Sequence, residues 1–459
     1  MLLLLVPCAR AGQAVARDLM GGFGMEVDPA LRYPPTRAAL LAALARERGR
    51  ELRLWDESVE GPASARDEQG RPWDAVIAQI AWVEAERELT RALEVASGAP
   101  LVLWGGIART RALELARAAP RALLLVDEEE VALCAWLDAG GERLPSSAPP
   151  PAGCARLDAR GELESGAELA PWKELSTLPL PARDLLRNER YGIPDVAGAV
   201  ATTALTRGCP IDCAFCAYVA LEGKPLRPRA LDHVLRELEQ IVELGIPRVV
   251  FRDPLFGAQR ERTLALCRAL AERRWPLRWQ CETAPKVLDE ERVAWMARAG
   301  CEHISFGIET ATRRLQKAFC GDKLPDPELA RRALRWCRAH GIATRGFFQL
   351  GFPRETREEM RATAELARSL DLGSAQFCAA TPYPGTALAA ALAASDPLLA
   401  RDARHAPRGN GLLAAEEIDA EIRRAYRRFY GRADRLAREL LHPSRLLRRL
   451  ARWRALGAR

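Results

Sequence analysis

The chain is poor in histidine and lysine, and it has no long apolar run. All five histidines among its 459 residues lie beyond residue 230, so the N-terminal half offers no imidazole to a metal ion. Only five of the 68 basic residues are lysines. No stretch approaches the roughly 18–20 consecutive apolar residues that a membrane-spanning helix needs. We therefore expect a soluble protein.

The positive charge of the chain is confined to its C-terminal end. Residues 400–459 carry 16 arginines and 7 acidic residues, a net +9, so residues 1–399 contribute −2 to the overall +7. A nearly neutral body does not fit the basic face that nucleic-acid-binding domains present. With 48% hydrophobic and 28% charged residues, the composition is that of an ordinary globular protein. We expect no nucleic-acid partner.

The twelve cysteines do not form the pattern of a disulfide framework. Three cluster within residues 209–216, and the other nine are scattered. Disulfide frameworks belong to small secreted chains. The opening MLLLLVPCARA lacks the basic start of a signal peptide and is short, so Leu2–Val6 is predicted to be a buried strand. The expected compartment is the cytoplasm, where clustered cysteines bind metal or do chemistry.

Residues 1–140 alternate strand and helix patterns. Apolar runs predict strands at 2–6, 51–55, 74–80, 100–104 and 121–126, and helical periodicity occupies 36–48, 84–96 and 110–118. This alternation predicts a doubly wound, flavodoxin- or Rossmann-like parallel sheet whose ligands bind at the carboxyl ends of its strands. Gly105 and Gly106 follow the fourth strand, either as a ligand-binding turn or as a simple connection. The segment 141–195, rich in Pro, Gly and Ser, is predicted to be a linker.

The segment TRGCPIDCAFCAY contains Cys209, Cys213 and Cys216 in a C-x3-C-x2-C spacing. Three thiolates this close together can bind three irons of a [4Fe–4S] cluster, which leaves the fourth iron open to a substrate-like ligand. A structural zinc site would need a fourth ligand, and no second Cys pair or Cys/His doublet is nearby. Buried spectator cysteines are the third alternative.

The residues around the cysteines add to this pattern: Arg207 and Gly208 precede the first cysteine, and Phe215 precedes the last. In this motif the chain resembles radical S-adenosylmethionine (SAM) enzymes of the branch with an N-terminal cobalamin-binding-like domain. The resemblance implies that Cys209, Cys213 and Cys216 hold the cluster and are essential for catalysis. It also implies reductive cleavage of SAM to a 5′-deoxyadenosyl radical that abstracts hydrogen from an unactivated carbon. The electron would come from a flavodoxin- or ferredoxin-type donor.

Residues 196–395 carry the periodicity of the barrel that this family implies. Strand patterns lie at 200–206, 248–253, 277–282, 302–307, 343–350 and 374–380, with helical patterns at 230–244, 258–273, 289–299, 326–340 and 355–370. Six such units predict a partial (β/α)6 TIM-type barrel. By the resemblance, Asp253, Glu309, Gly351 and Pro353 line the SAM pocket together with Phe215. The alternatives are a helix cap for Asp253, a salt bridge to Arg313 or Arg314 for Glu309, and backbone geometry for Gly351 and Pro353.

Binding of cobalamin is left open by the sequence. The family's D-x-H-x-x-G motif is absent because no histidine precedes residue 233, whereas the double glycine at 105 and 106 is kept. Either cobalamin binds without a protein ligand on its lower face, or the N-terminal domain is a vestigial scaffold. We expect cobalamin-dependent methylation of a small-molecule or lipid-like substrate, with cobalamin-independent cyclisation, rearrangement or C–C bond formation as the alternative.

Residues 396–459 are predicted to be a basic helical C-terminal extension. Its apolar and arginine faces fit either a helix packed on the barrel or an interfacial helix on an anionic membrane. The second alternative would make the protein peripheral at the inner membrane face.

Overall fold

The computed structural model describes residues 1–8, 14–18, 25–27, 31–145, 147–194, 196–395 and 409–432. It has the predicted architecture of a doubly wound sheet followed by a partial barrel and C-terminal helical structure. The predicted fold class is confirmed.

The N-terminal domain is built on a seven-stranded sheet. Its strands run in the order β4-β1-β5-β6-β7-β8-β9, and the first five in this order are parallel. A two-stranded antiparallel ribbon, β2 with β3, forms a separate sheet. The strands are β1 (Leu2–Val6), β2 (Ala14–Ala16), β3 (Met25–Val27), β4 (Leu52–Asp56), β5 (Ala75–Gln79), β6 (Leu101–Trp104), β7 (Leu123–Leu125), β8 (Cys154–Leu157) and β9 (Leu163–Ser165).

Helices cover both faces of this sheet. They are α1 (Thr36–Glu47), α2 (Glu57–Glu60), α3 (Ala85–Ala96), α4 (Gly106–Thr110), α5 (Ala112–Ala118) and α6 (Glu129–Asp138). Leu2 and Leu4 pack into one core with α1 and α6, whereas Leu3 and Leu5 pack into the other with α3 and α5. Burial on both faces explains why β1 is a continuous apolar run rather than an alternating one.

The segment expected to be a linker contributes to the sheet. Strands β8 and β9, within residues 141–195, add antiparallel to the edge at β7. We predicted no strand here because the two are short and lie in a region rich in Pro and Gly. Part of residues 141–195 therefore belongs to the N-terminal domain.

The second sheet contains six parallel strands in sequence order. These are β10 (Val200–Thr203), β13 (Arg248–Phe251), β14 (Arg278–Thr283), β15 (Cys301–Glu309), β16 (Ala343–Leu350) and β17 (Ser374–Ala379). The short pair β11 (Thr206–Arg207) and β12 (Arg227–Pro228) is antiparallel and closes the loop that carries the cysteines. The helices are α7 (Ala217–Glu222), α8 (Leu231–Glu243), α9 (Arg260–Arg273), α10 (Glu290–Arg298), α11 (Arg313–Phe319), α12 (Pro327–Ala339), α13 (Arg357–Ser369) and α14 (Ala387–Ser395).

A further helix, α15 (Ala415–Tyr430), covers the last strand of the barrel. The hydroxyl of Tyr426 accepts from the amide of Phe377 at 3.1 Å, and that of Tyr430 accepts from Ala375 at 3.0 Å. These bonds satisfy amide groups on β17 that would otherwise form an open sheet edge. The rest of the predicted extension, 396–408 and 433–459, lies outside the described residues. Among the described helices, none is both long and apolar enough to cross a bilayer.

Candidate active site

The cysteine loop follows the first barrel strand and is closed by the β11–β12 pair. Gly208 has a φ of +81°, and a Cβ there would collide with the carbonyl oxygen of Pro225. The amide of Cys209 donates to Gly223 at 3.1 Å. Only glycine fits before the first cysteine, which gives a physical reason for the Arg-Gly-Cys order.

The three cysteines share one small apolar compartment. Cys209 and Cys213 are each 6% exposed, and Cys216 packs against the same cluster. Burial raises the pKa of all three thiols, that of Cys213 to about 12, and the ammonium of Lys323 opposes the rise in each case. Thiolates in this compartment therefore need a cation beside them, as metal-bound thiolates have.

No set of three His, Cys, Asp or Glu side chains in the described ranges stands close enough to hold a single metal ion. A [4Fe–4S] cluster does not need such a set, because each thiolate binds a different iron and the sulfur atoms can lie further apart than the ligands of one ion.

Lys323 is a candidate site residue that we did not predict from the sequence. Its Nζ lies 2.5 Å from Oε1 of Glu309 and 5.4 Å from the ring centroid of Phe215. Burial alone would lower the pKa of Lys323, but Cys213 and Glu309 hold it well above its usual value. The sequence offers one hint of its importance: lysine is rare in this arginine-rich chain, and Lys323 is one of only five.

Glu309 lies in a strained backbone conformation at the end of β15. Its φ is +67°, and the register of β15 against β16 shifts between Gly307 and Glu309. Its Oε2 is buried without a hydrogen-bond partner. Arg313 and Arg314 pair with Asp322 and Glu359 instead, so the predicted alternative of a salt bridge from Glu309 to one of these two arginines is wrong. Bulges and strained residues of this kind cluster at functional sites.

Asp253 fixes the chain just ahead of the cysteine loop. Its carboxylate accepts from the amides of Leu205 and Thr206, at 2.9 and 2.7 Å, and from the Thr206 hydroxyl at 2.8 Å. Burial raises its pKa to about 6. Because α9 is preceded by Gln259, Asp253 is not its cap. Direct contact of Asp253 with SAM stays a prediction.

The turn after β16 is shaped by a buried carboxyl group. Oε2 of Glu355 accepts from the amides of Gly351 and Phe352 at 2.6 and 3.0 Å, while Oε1 has no partner. The amide group of Asn410 donates to the carbonyls of Phe352 and Glu355. We did not predict Asn410, which lies 55 residues beyond Glu355 in the sequence. Pro353 lies in this turn, and its SAM-binding role stays a prediction.

The carboxyl ends of the two sheets face each other. The rings of Trp82 and Tyr383, one from each domain, lie 5.1 Å apart. Gly105 has a φ of +117° and precedes α4, which begins at Gly106. The conformation of Gly105 is one that other residues avoid. The predicted double glycine therefore lies at the edge that faces the barrel.

Two buried polar side chains near this edge lack partners. Gln79 and Trp104 are cross-strand neighbours at the ends of β5 and β6, and both are almost fully buried. Neither amide atom of Gln79 nor Nε1 of Trp104 has a hydrogen-bond partner. Buried polar groups are normally satisfied, so these atoms fit a ligand or water that supplies polar contacts.

Comparison with known proteins agrees with this geometry. Residues 203–367 match the family described as the radical SAM superfamily. An uncharacterized methyltransferase of Pyrococcus horikoshii is 30% identical, over 61% of this chain and 62% of that protein. The cytidylyl-2-hydroxyethylphosphonate methyltransferase of Streptomyces wedmorensis is 28% identical, over 57% of this chain and 52% of that protein. The chain thus spans between half and two thirds of the length of these relatives.

Solved structures share the fold of about four fifths of the chain. The radical SAM methyltransferase TsrM from Kitasatospora setae, with cobalamin and a [4Fe–4S] cluster bound, has a TM-score of 0.64 and 22% identity, covering 82% of this chain and 74% of TsrM. The cobalamin-dependent enzyme OxsB has a TM-score of 0.62 and 18% identity, covering 80% of this chain and 52% of OxsB. The predicted resemblance is confirmed: residues 203–367 match the radical SAM superfamily, and the chain shares the fold of TsrM and OxsB.

Proposed function

We propose that the chain is a radical SAM methyltransferase that methylates an unactivated carbon of a small molecule with the help of cobalamin. The observation that carries the proposal is the compartment of Cys209, Cys213 and Cys216 beside the Lys323–Glu309 pair. When bound there, a [4Fe–4S] cluster supplies the electron that cleaves SAM into methionine and a 5′-deoxyadenosyl radical. The three cysteines would hold the cluster.

The residues around the compartment position and shield the reaction. Lys323 balances negative charge next to Cys213, and its bond to Glu309 keeps the ammonium in place. The ring of Phe352 lies 5.8 Å from that of Phe215 and stacks on that of Phe319 at 5.3 Å, and these three rings would exclude water from the thiols. Such exclusion strengthens electrostatic interactions and protects a radical from side reactions.

The carboxyl end of the N-terminal sheet fits a corrinoid. Gly105 and Gly106 leave room for close backbone approach, and Gln79 and Trp104 carry buried polar atoms without partners. When bound there, cobalamin supplies methyl transfer. No histidine precedes residue 233, so the cobalt would have no imidazole from this domain beneath it. That same absence favours the second candidate function, cobalamin-independent radical chemistry with a vestigial N-terminal domain.

A flavodoxin- or ferredoxin-type protein is the proposed electron donor.

Peripheral contact with an anionic membrane through residues 433–459 is a further proposal. It is supported by the arginines and leucines in the sequence alone. Co-sedimentation with anionic liposomes, using the full chain and a chain ending at residue 432, tests it. Equal binding by both chains would contradict it.

The test of the proposed function is formation of 5′-deoxyadenosine from SAM and dithionite by the anaerobically reconstituted chain. We expect Cys213→Ala to lose both this product and the cluster iron. Cys267→Ala is the matched control, because Cys267 is equally buried but lies in the barrel core away from the loop. Product and iron retained in Cys213→Ala would overturn the assignment of the cluster site.

A further inference from the structure

The inner face of the barrel sheet is polar and partly open to solvent. On β16, the residues that alternate toward the surrounding helices are buried, and Phe348 and Leu350 belong to the main core. Those on the opposite, inner face are Arg345, which is exposed, and Phe347 and Gln349, which are half-buried. The interior of a closed parallel barrel is normally filled by bulky apolar side chains. The lining here therefore indicates a hollow that a ligand can enter.

Five side chains cross this inner face at one height. The strand register pairs Glu282 with Ser305, Ser305 with Arg345, and Arg345 with Ser374. Arg252, directly after β13, extends the row, because its Nη1 lies 3.1 Å from Oε1 of Glu282. We call this set the Arg345 row.

The charges of the Arg345 row do not balance. Glu282 is paired with Arg252, so the row has two arginines and one carboxylate. Nε of Arg345 donates to Oγ of Ser374 at 3.3 Å, and over the described ranges no carboxylate lies within 4.0 Å of its guanidinium. Arg345 thus carries a positive charge without a partner of opposite sign.

The groups packed around the row do not supply the missing negative charge. His303 lies next to Arg345, and burial, together with that neighbour, lowers its pKa to about 4, so the imidazole is neutral at pH 7. Tyr33 reaches the row from the N-terminal domain, with its ring 5.9 Å from the guanidinium of Arg252. Burial raises the pKa of Tyr33, so its phenol is also neutral.

We infer that the Arg345 row binds a carboxylate or phosphate group of the substrate, with Arg345 making the direct contact. This inference rests on the proposed function, whose substrate would occupy the barrel. A guanidinium presents parallel donors that match two oxygens of either group. An uncharged lipid would leave Arg345 uncompensated, so the row selects an acidic small molecule.

The row also sets a length for that molecule. Gln349 and Cys378 are paired in register four residues further along β16 and β17. They lie toward the carboxyl ends, where the cysteine loop is. Four strand residues span about 13 Å. The substrate would therefore carry its anionic group about 13 Å from the end of the barrel at which the radical forms.

The inference is tested by calorimetric titration of the full, reconstituted chain with inorganic phosphate and, separately, with acetate at constant ionic strength. We expect Arg345→Gln to weaken binding of the preferred anion at least tenfold, and Arg345→Lys to weaken it less because the charge remains. Arg338→Gln is the control, since Arg338 is an exposed arginine on α12 paired with Asp371. Stronger binding of phosphate would indicate a phosphorylated substrate, and stronger binding of acetate a carboxylic acid.

Two results would overturn the inference: no binding of either anion by the wild-type chain, or equal binding by Arg345→Gln and Arg338→Gln. Failure of the proposed function is a separate observation, namely absence of 5′-deoxyadenosine from the wild-type chain with SAM and dithionite. Each of the two ideas can therefore fail without the other.

Discussion

Nη2 of Arg207 lies 2.6 Å from Oε1 of Glu130, and this ion pair joins the barrel to the N-terminal domain. Arg207 comes two residues before Cys209, and its Nη1 also donates to Glu128 at 3.0 Å. The side chain of Glu130 is fully buried, and that of Arg207 is 14% exposed. The position of the cysteine loop therefore depends on carboxylates supplied by the other domain.

Removing Arg207 should destabilise the protein strongly. Arg207→Ala leaves the carboxylates of Glu128 and Glu130 buried with fewer partners, which typically costs about 3–5 kcal/mol. We expect a large drop in the urea midpoint of unfolding. Arg260→Ala, which removes an exposed arginine with three acidic partners, should change the midpoint little. Similar midpoints for the two variants would contradict the role given to the Arg207–Glu130 pair.

The turn after β16 should make stability depend on pH. Burial raises the pKa of Glu355 to about 8, against an ordinary value of 4.5. The folded chain therefore holds this proton more tightly than the unfolded chain. The resulting stabilisation is complete below about pH 4.5 and is lost as pH rises to about 8.

Glu355→Gln removes this titration while keeping an oxygen that accepts from Gly351 and Phe352. Between pH 6 and pH 9, we expect the free energy of unfolding of the wild-type chain to fall by roughly 2–3 kcal/mol relative to that of the variant, since one pKa unit corresponds to about 1.4 kcal/mol. Glu358→Gln, at an exposed position nearby, is the control. Parallel pH profiles of thermal unfolding for wild type and Glu355→Gln would show that Glu355 does not titrate in this range.

Gly351 should not tolerate a side chain. Its φ is +85°, and a Cβ would lie 2.8 Å from Cγ2 of Ile418 on α15. Gly341→Ala is a matched control, because Gly341 has a φ of +70° but open space around it. In both variants, backbone strain should lower the free energy of unfolding by about 1–2 kcal/mol. The clash with Ile418 should lower it further in Gly351→Ala. Ile418→Ala in the same chain should recover part of that excess in unfolding experiments.

Arg354 is the reverse case, a non-glycine residue in a conformation that favours glycine. Its φ is +54°, its side chain is exposed, and its backbone amide donates to Asn410 at 2.8 Å. Glycine adopts this conformation without the steric cost that a Cβ brings. We expect Arg354→Gly to raise stability by up to about 1 kcal/mol. A lower unfolding midpoint for this variant would contradict the proposed strain.

Local patterns predicted most of the fold. The six barrel strands agree with their predicted positions to within a few residues, because each alternates with a helix of clear periodicity. The pairing β7–β8–β9 was missed, since those short strands acquire their conformation from the edge they join rather than from their own pattern. Sheet addition of this kind is set by tertiary context.

Part of the site could likewise be predicted from the sequence and part could not. The cysteine spacing is local, so the loop could be predicted. Lys323 and Asn410 reach the site from segments distant in sequence, and their roles depend on side-chain contacts with Glu309 and Glu355. The neighbours of Arg207 likewise come from the other domain. Such contacts have no signature in the spacing of residues along the chain.

The amount of corrinoid bound per chain, measured by absorbance after anaerobic expression with hydroxocobalamin supplied, tests whether the protein transfers methyl groups through cobalamin. We predict close to one corrinoid per chain, bound without a histidine from the N-terminal domain. A protein with an intact iron–sulfur cluster and no corrinoid would contradict the proposed methyl transfer and leave the cobalamin-independent alternative.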